Sequence, residues 1–82
     1  MRRTILITGI LMMALLSLAA QTPEERYAGA GKLYGSGDYS GAAAIYRQLC
    51  EEGFRSADLF YNAGNAFYKS GDNASAILFY ER

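Results

Sequence analysis

The residues with the most chemical promise in this 82-residue chain form the run Gly29-Ala30-Gly31-Lys32-Leu33-Tyr34-Gly35. Backbone N–H groups of a glycine-rich turn can cradle a phosphate, and a lysine can neutralise it. The spacing does not fit that chemistry. A phosphate loop needs Ser or Thr directly after Lys32, where Leu33 stands. A dinucleotide loop beginning at Gly29 needs a glycine in place of Tyr34. The acidic pairs Glu24-Glu25 and Glu51-Glu52 are sequence neighbours. On a helix such neighbours point roughly 100° apart, so they read as solvated faces or end charges, not as an acid/base pair. His is absent and Cys50 is the single cysteine. That excludes His-based acid/base catalysis, a Cys/His zinc cluster and an internal disulfide. Cys50 reads as an inert buried thiol, with an intermolecular disulfide as the alternative in an oxidising compartment. Asn73-Ala74-Ser75 fits a glycosylation acceptor, but it falls where a helical turn is expected. No catalytic residue, cofactor or metal ligand is predicted.

Charge narrows the partners. The chain holds 8 basic and 8 acidic residues. From Gln21 onward six basic residues face eight acidic ones, a net of −2. A nucleic-acid binder carries a basic surplus, so none is expected. Val is missing, and beyond Thr22 the only β-branched residues are Ile45 and Ile77, among ten Ala and seven Tyr. Strands lack their usual material. The predicted class is all-α.

The first twenty residues read as an address. Met1-Arg2-Arg3 is basic, Ile5 to Leu18 is mostly apolar, and Ser17-Leu18-Ala19-Ala20 is rich in small residues. That order predicts a secretory signal cleaved after Ala19 or Ala20. The competing reading is an uncleaved membrane anchor, although Ile5 to Ala20 is sixteen residues, short of the roughly twenty that cross a bilayer. Either way the remainder is expected outside the cytoplasm, in the periplasm or at the periplasmic face of the inner membrane. Any membrane contact is expected only through residues 1–20.

A 34-residue echo follows. Residues 24–48 laid over 58–82 give seven identities in twenty-five pairs: Tyr27/Tyr61, Tyr34/Tyr68, Ser36-Gly37-Asp38 over Ser70-Gly71-Asp72, Ala42/Ala76 and Tyr46/Tyr80. A fixed period of this length points to stacked structural units. Phe60, Ala63, Gly64 and Phe67 recur at helical spacing. Gly71-Asp72 interrupts them, glycine allowing the left-handed turn that ends a helix and Asp72, Asn73 or Ser75 capping the next. Ala76, Ile77, Phe79 and Tyr80 then resume the apolar pattern. Ala30 and Leu33, the Gly37-Asp38 break, and Ala42, Ile45, Tyr46 and Leu49 repeat the scheme. Gly53 ends that helix and Ser56 caps the following one. Small residues at Ala30, Gly64, Ala42 and Ala76 let helix axes approach closely, with the rings of Tyr46 and Tyr80 laid beside them. The prediction is helix-turn-helix, twice.

Phe60-Tyr61-Asn62-Ala63-Gly64-Asn65-Ala66-Phe67-Tyr68-Lys69-Ser70-Gly71-Asp72, followed by Ala76-Ile77-Leu78-Phe79-Tyr80, resembles the tetratricopeptide repeat (TPR). The resemblance spans nearly all of Glu24 to Arg82. It implies an α-α solenoid with a degenerate first repeat over residues 24–56 and a second repeat over 57–82 that stops within its second helix. Arg26 departs from the pattern, standing where a large apolar residue is usual, and Phe54 replaces the common proline between repeats. Arg82 falls in an apolar-periodic helix without a stop signal, so further repeats are expected after it. The stretch Glu52 to Asn62, continuing to Ala76 to Arg82, is similar to the BatE-like repeat proteins of the aerotolerance operon. That similarity implies work in a cell-envelope complex with von Willebrand-type partner proteins.

In the repeat family, first helices line a concave groove that receives peptides or partner helices. The matching positions are Tyr27, Gly31 and Tyr34, then Tyr61, Asn65 and Tyr68, with Asn62 beside them. Tyrosine pairs an apolar ring with a polar tip, and the asparagines can hydrogen-bond a peptide backbone. Packing against the neighbouring unit is the equal alternative for Tyr27 and Tyr61 and the preferred reading for Tyr34 and Tyr68. The lysine-asparagine clamp by which some members grip a terminal carboxylate is not expected, because Tyr27 and Gly31 hold its places. The expected function is a non-catalytic exported scaffold. The alternatives are a docking arm for an enzyme domain beyond Arg82 and a self-associating structural protein.

Overall fold

A computed structural model of the chain describes residues 21–82. The expected signal or anchor over residues 1–20 lies outside the described residues. Four helices follow one another: α1 Pro23–Gly35, α2 Tyr39–Glu51, α3 Ala57–Ser70 and α4 Asn73–Tyr80. Among the described residues there is no strand, and the fold is all-α. Consecutive helices pack in order, α1 on α2, α2 on α3 and α3 on α4.

The repeated Ser-Gly-Asp builds one turn twice. Gly37 and Gly71 take φ of 91° and 92°, the left-handed region where a Cβ would clash. After α1, Asp38 N–H donates to Leu33 O at 2.8 Å and Gly37 N–H to Tyr34 O at 3.1 Å. After α3, Asp72 N–H donates to Phe67 O at 2.9 Å and Gly71 N–H to Tyr68 O at 3.1 Å. These paired bonds satisfy carbonyls that a helix end otherwise leaves without partners. Each aspartate then opens the next helix, Asp38 Oδ1 accepting from Gly41 N–H at 2.9 Å and Asp72 Oδ1 from Ser75 N–H at 3.1 Å. Gly53, at φ 100°, closes α2 in the same way. Ser56 caps α3 by accepting from Leu59 N–H at 3.0 Å. At the start of α1 the sequence reading missed a cap: Thr22 Oγ1 accepts from Glu25 N–H at 3.1 Å, with Pro23 in the first turn.

The core draws on all four helices: Ala30 of α1, Ala42, Ala43, Tyr46 and Leu49 of α2, Leu59, Ala63, Ala66 and Phe67 of α3, Ala76 and Phe79 of α4. More than half of these are alanines. The helices therefore approach closely, and a few rings fill what space remains. Phe67 stacks on Phe79 at 5.2 Å between centroids. Leu33 and Phe60 are half-buried against the same core.

Tyr80 differs from its counterpart. Tyr46 is 3% exposed, whereas Tyr80 is 46% exposed. α3 covers the first hairpin, and no described residue covers the second in the same way. Arg26 differs too. Its guanidinium forms a two-pronged ion pair with Glu52, at 2.6 and 2.7 Å. This ties the first turn of α1 to the residue after α2, so Glu52 is not simply a solvated end charge.

Candidate functional site

The first helices of the two hairpins, α1 and α3, flank a cleft whose floor is Tyr46 of α2. Gly31, Tyr34, Tyr46, Asn62 and Asn65 line it, enclosing about 210 Å³. Four of these five are positions at which the repeat resemblance places a groove; the fifth, Tyr46, is one the sequence assigns to packing. Both roles meet in that one side chain. Its ring is buried, and its hydroxyl lies 3.9 Å from where a Cβ on Gly31 would stand. Gly31 thus leaves the phenol tip open to the cleft. Burial, and next the neighbouring Tyr27 and Tyr34, raise the Tyr46 pKa. The hydroxyl remains protonated at neutral pH and can donate.

Tyr27 is half-buried. Its ring meets Tyr46 edge-on at 5.6 Å, and its hydroxyl accepts from Asn62 Nδ2. That bond joins α1 to α3. Asn65 Oδ1 accepts from the Tyr80 hydroxyl, joining α3 to α4. Both asparagines offered as peptide ligands therefore have internal partners. Each uses one end of its amide, which orients the other. The Asn62 carbonyl oxygen and the Asn65 amino group are left as one acceptor and one donor, three residues apart on α3. A peptide backbone offers the complementary pair.

The other tyrosines separate by surroundings. Tyr34 is half-buried and meets Tyr39 edge-on at 5.0 Å. Tyr61 and Tyr68 are 63% and 62% exposed. The ring of Tyr61 is tilted against that of Tyr80, at 6.3 Å. Gly64, Ala30, Ala42, Phe67 and Ala76 are buried behind this surface.

Cys50 is a half-buried free thiol whose pKa is pushed up, chiefly by burial. No group of three or more His, Cys, Asp or Glu side chains among the described residues is arranged to hold a metal ion. No helix among them is long and apolar enough to cross a membrane. Comparisons with protein-family models, with curated proteins and with solved structures found no match.

Proposed function

We propose that the chain is an exported, non-catalytic TPR-type scaffold that holds a protein or peptide segment in the cleft between α1 and α3. The observation that carries this reading is the polar geometry of the cleft. Tyr46, Asn62 and Asn65 converge on it from two helices, and α3 also carries the exposed rings of Tyr61 and Tyr68. An extended peptide laid there meets a donor and an acceptor for its backbone and flat apolar faces for its side chains. The duplicated glycine-aspartate turn at a 34-residue spacing supports the repeat assignment. The basic-apolar-small order of residues 1–20 supports export. On the resemblance noted above, the partner would be a subunit of a BatE-like cell-envelope complex.

The test is selection of a binding peptide from a random displayed library against the full chain, followed by affinity measurement on variants. Gly31→Leu fills the cleft from an exposed helical position. Tyr61→Ala with Asn65→Ala removes a ring and a donor. Both are expected to weaken the selected peptide at least tenfold with the helical circular-dichroism signal retained. Unchanged affinity in both variants would overturn the groove. A collapse of helicity in the double variant would place Tyr61 and Asn65 in the core instead.

A further inference from the structure

A second cleft, sharing no lining residue with the first, lies between α2 and α4 and encloses about 590 Å³. Three arginines from three different places border it: Arg47 in α2, Arg55 in the connection to α3, and Arg82 after α4. Phe60, Leu78 and Phe79 supply its apolar lining, and Glu51 is its one acidic residue. Three positive charges against one negative make the cleft cationic, in a chain whose residues from Gln21 onward carry a net of −2. The basic charge is concentrated here.

Among the described residues the one ion pair joins Arg26 to Glu52. Arg55 and Arg82 have no acidic partner among them, and Arg47 reaches the Asp72 carboxylate only through Ser75. Two of the three arginines lie over aromatic rings. The Arg47 guanidinium lies 4.6 Å from the Phe67 ring centroid, and that of Arg82 lies 4.7 Å from that of Phe79. A guanidinium carbon over a ring still offers N–H groups to a carboxylate. Arg47 places one of those groups on Ser75 Oγ at 3.2 Å, which fixes its orientation further. Arg55 and Arg82 follow the C-terminal ends of α2 and α4, where a cation offsets the helix dipole. That accounts for each singly. Arg47, within α2, is accounted for by its bond to Ser75, which in turn donates to Asp72 Oδ2 at 2.7 Å. None of this accounts for all three bordering one apolar cleft.

We infer that this cleft binds an acidic peptide segment bearing a large apolar side chain, its carboxylates on Arg47, Arg55 and Arg82 and its apolar group against Phe60, Leu78 and Phe79. The same cations could attract a nucleic-acid phosphate. The acidic balance of the rest of the chain repels an extended polyanion but not a short peptide. A peptide also uses the apolar lining.

The experiment is fluorescence anisotropy with the full chain in a non-ionic detergent. The probe is a fluorescein-labelled peptide, Glu-Asp-Leu-Phe-Glu-Asp, and the comparison peptide carries Lys at every acidic position. The acidic peptide is expected to bind at least tenfold more tightly than the basic one, and more weakly as salt shortens the screening length. Arg55→Glu alters only an exposed connection and is expected to weaken binding at least tenfold. Arg47→Gln combined with Arg55→Gln is expected to do the same with helicity unchanged. Bound peptide is also expected to slow alkylation of Cys50, which lines the cleft. Gly31→Leu, which fills only the first cleft, is expected to leave this affinity unchanged, and so separates the two clefts. No binding, equal binding of the two peptides, insensitivity to Arg55→Glu, or tighter binding of single-stranded DNA of equal charge would each overturn the inference.

Discussion

The ring of Tyr80 lies against Gly64, so close that a Cβ on that glycine would stand 2.5 Å from Cε1 and 2.6 Å from Cδ1. The glycine is therefore the seat of the ring, which in turn donates to Asn65 one residue further along α3. The two positions are expected to be strongly coupled. In a Tyr80→Ala background, Gly64→Ala is expected to stabilise by about 1 kcal/mol, the ordinary helix-propensity gain. With Tyr80 present the methyl displaces the ring and breaks its bond to Asn65, so the gain disappears. Denaturant unfolding of the four proteins of this cycle measures the difference. Additive effects would show that the ring does not rest there.

The same substitution is expected to have opposite signs at two other glycines. Gly29 lies within α1 with nothing within 4 Å of an added Cβ, so Gly29→Ala removes backbone freedom from the unfolded chain and adds no clash. The expected gain is about 1 kcal/mol, or roughly 4–8 °C in Tm for a domain of this size. Gly71 has φ 92°. There Gly71→Ala is expected to cost about 1–2 kcal/mol through left-handed strain. Thermal unfolding of the two variants checks both directions.

The Arg26–Glu52 pair predicts an acid-dependent loss of stability. The hydrogen bond from Arg26 holds the Glu52 carboxyl below its usual range. A carboxyl with a depressed folded pKa favours the fold wherever it is ionised in both states. That contribution is fully present above the unfolded-state pKa and fades as pH falls through the lower folded value. Glu52→Gln is expected to flatten the stability profile across this acidic window and leave its shape near neutrality unaltered. Urea unfolding at a series of pH values measures it.

Cys50 is expected to react slowly while the protein is folded. Its thiol pKa is raised chiefly by burial, outweighing the opposing pull of Arg82 and Arg55. Less thiolate is present at neutral pH than on an unfolded chain. Iodoacetamide alkylation is expected to accelerate on adding urea, with the step at the unfolding transition. A rate already equal to that of a free thiol in the folded protein would contradict the burial.

Much of the fold was legible because its signals are local. Gly37-Asp38 and Gly71-Asp72 combine a residue tolerant of positive φ with one that caps, and a few consecutive residues suffice to specify such a turn. Ser56 was equally readable. The cap at Thr22 had a signal in Thr-Pro-Glu-Glu, which supplies a hydroxyl acceptor and a first-turn proline. Asn62 and Asn65 were not readable as internal hydrogen-bond partners. Nothing within α3 shows which tyrosine hydroxyl arrives from α1 or α4. Arg26 finding Glu52 and three arginines meeting around one cleft depend likewise on how separate helices cross.

What the amino-acid order alone determined is the set of four helices, their duplicated turns and the stripes that must be buried. These follow from backbone sterics and hydrogen bonding over a few residues. Tertiary packing decided what equivalent residues do. Tyr46 and Tyr80 occupy matching places in the two hairpins, yet one is 3% exposed and the other 46%. The reason is geometric: burial belongs to a side chain together with its neighbours, and Tyr46 is covered by both α1 and α3, whereas among the described residues Tyr80 has α3 alone.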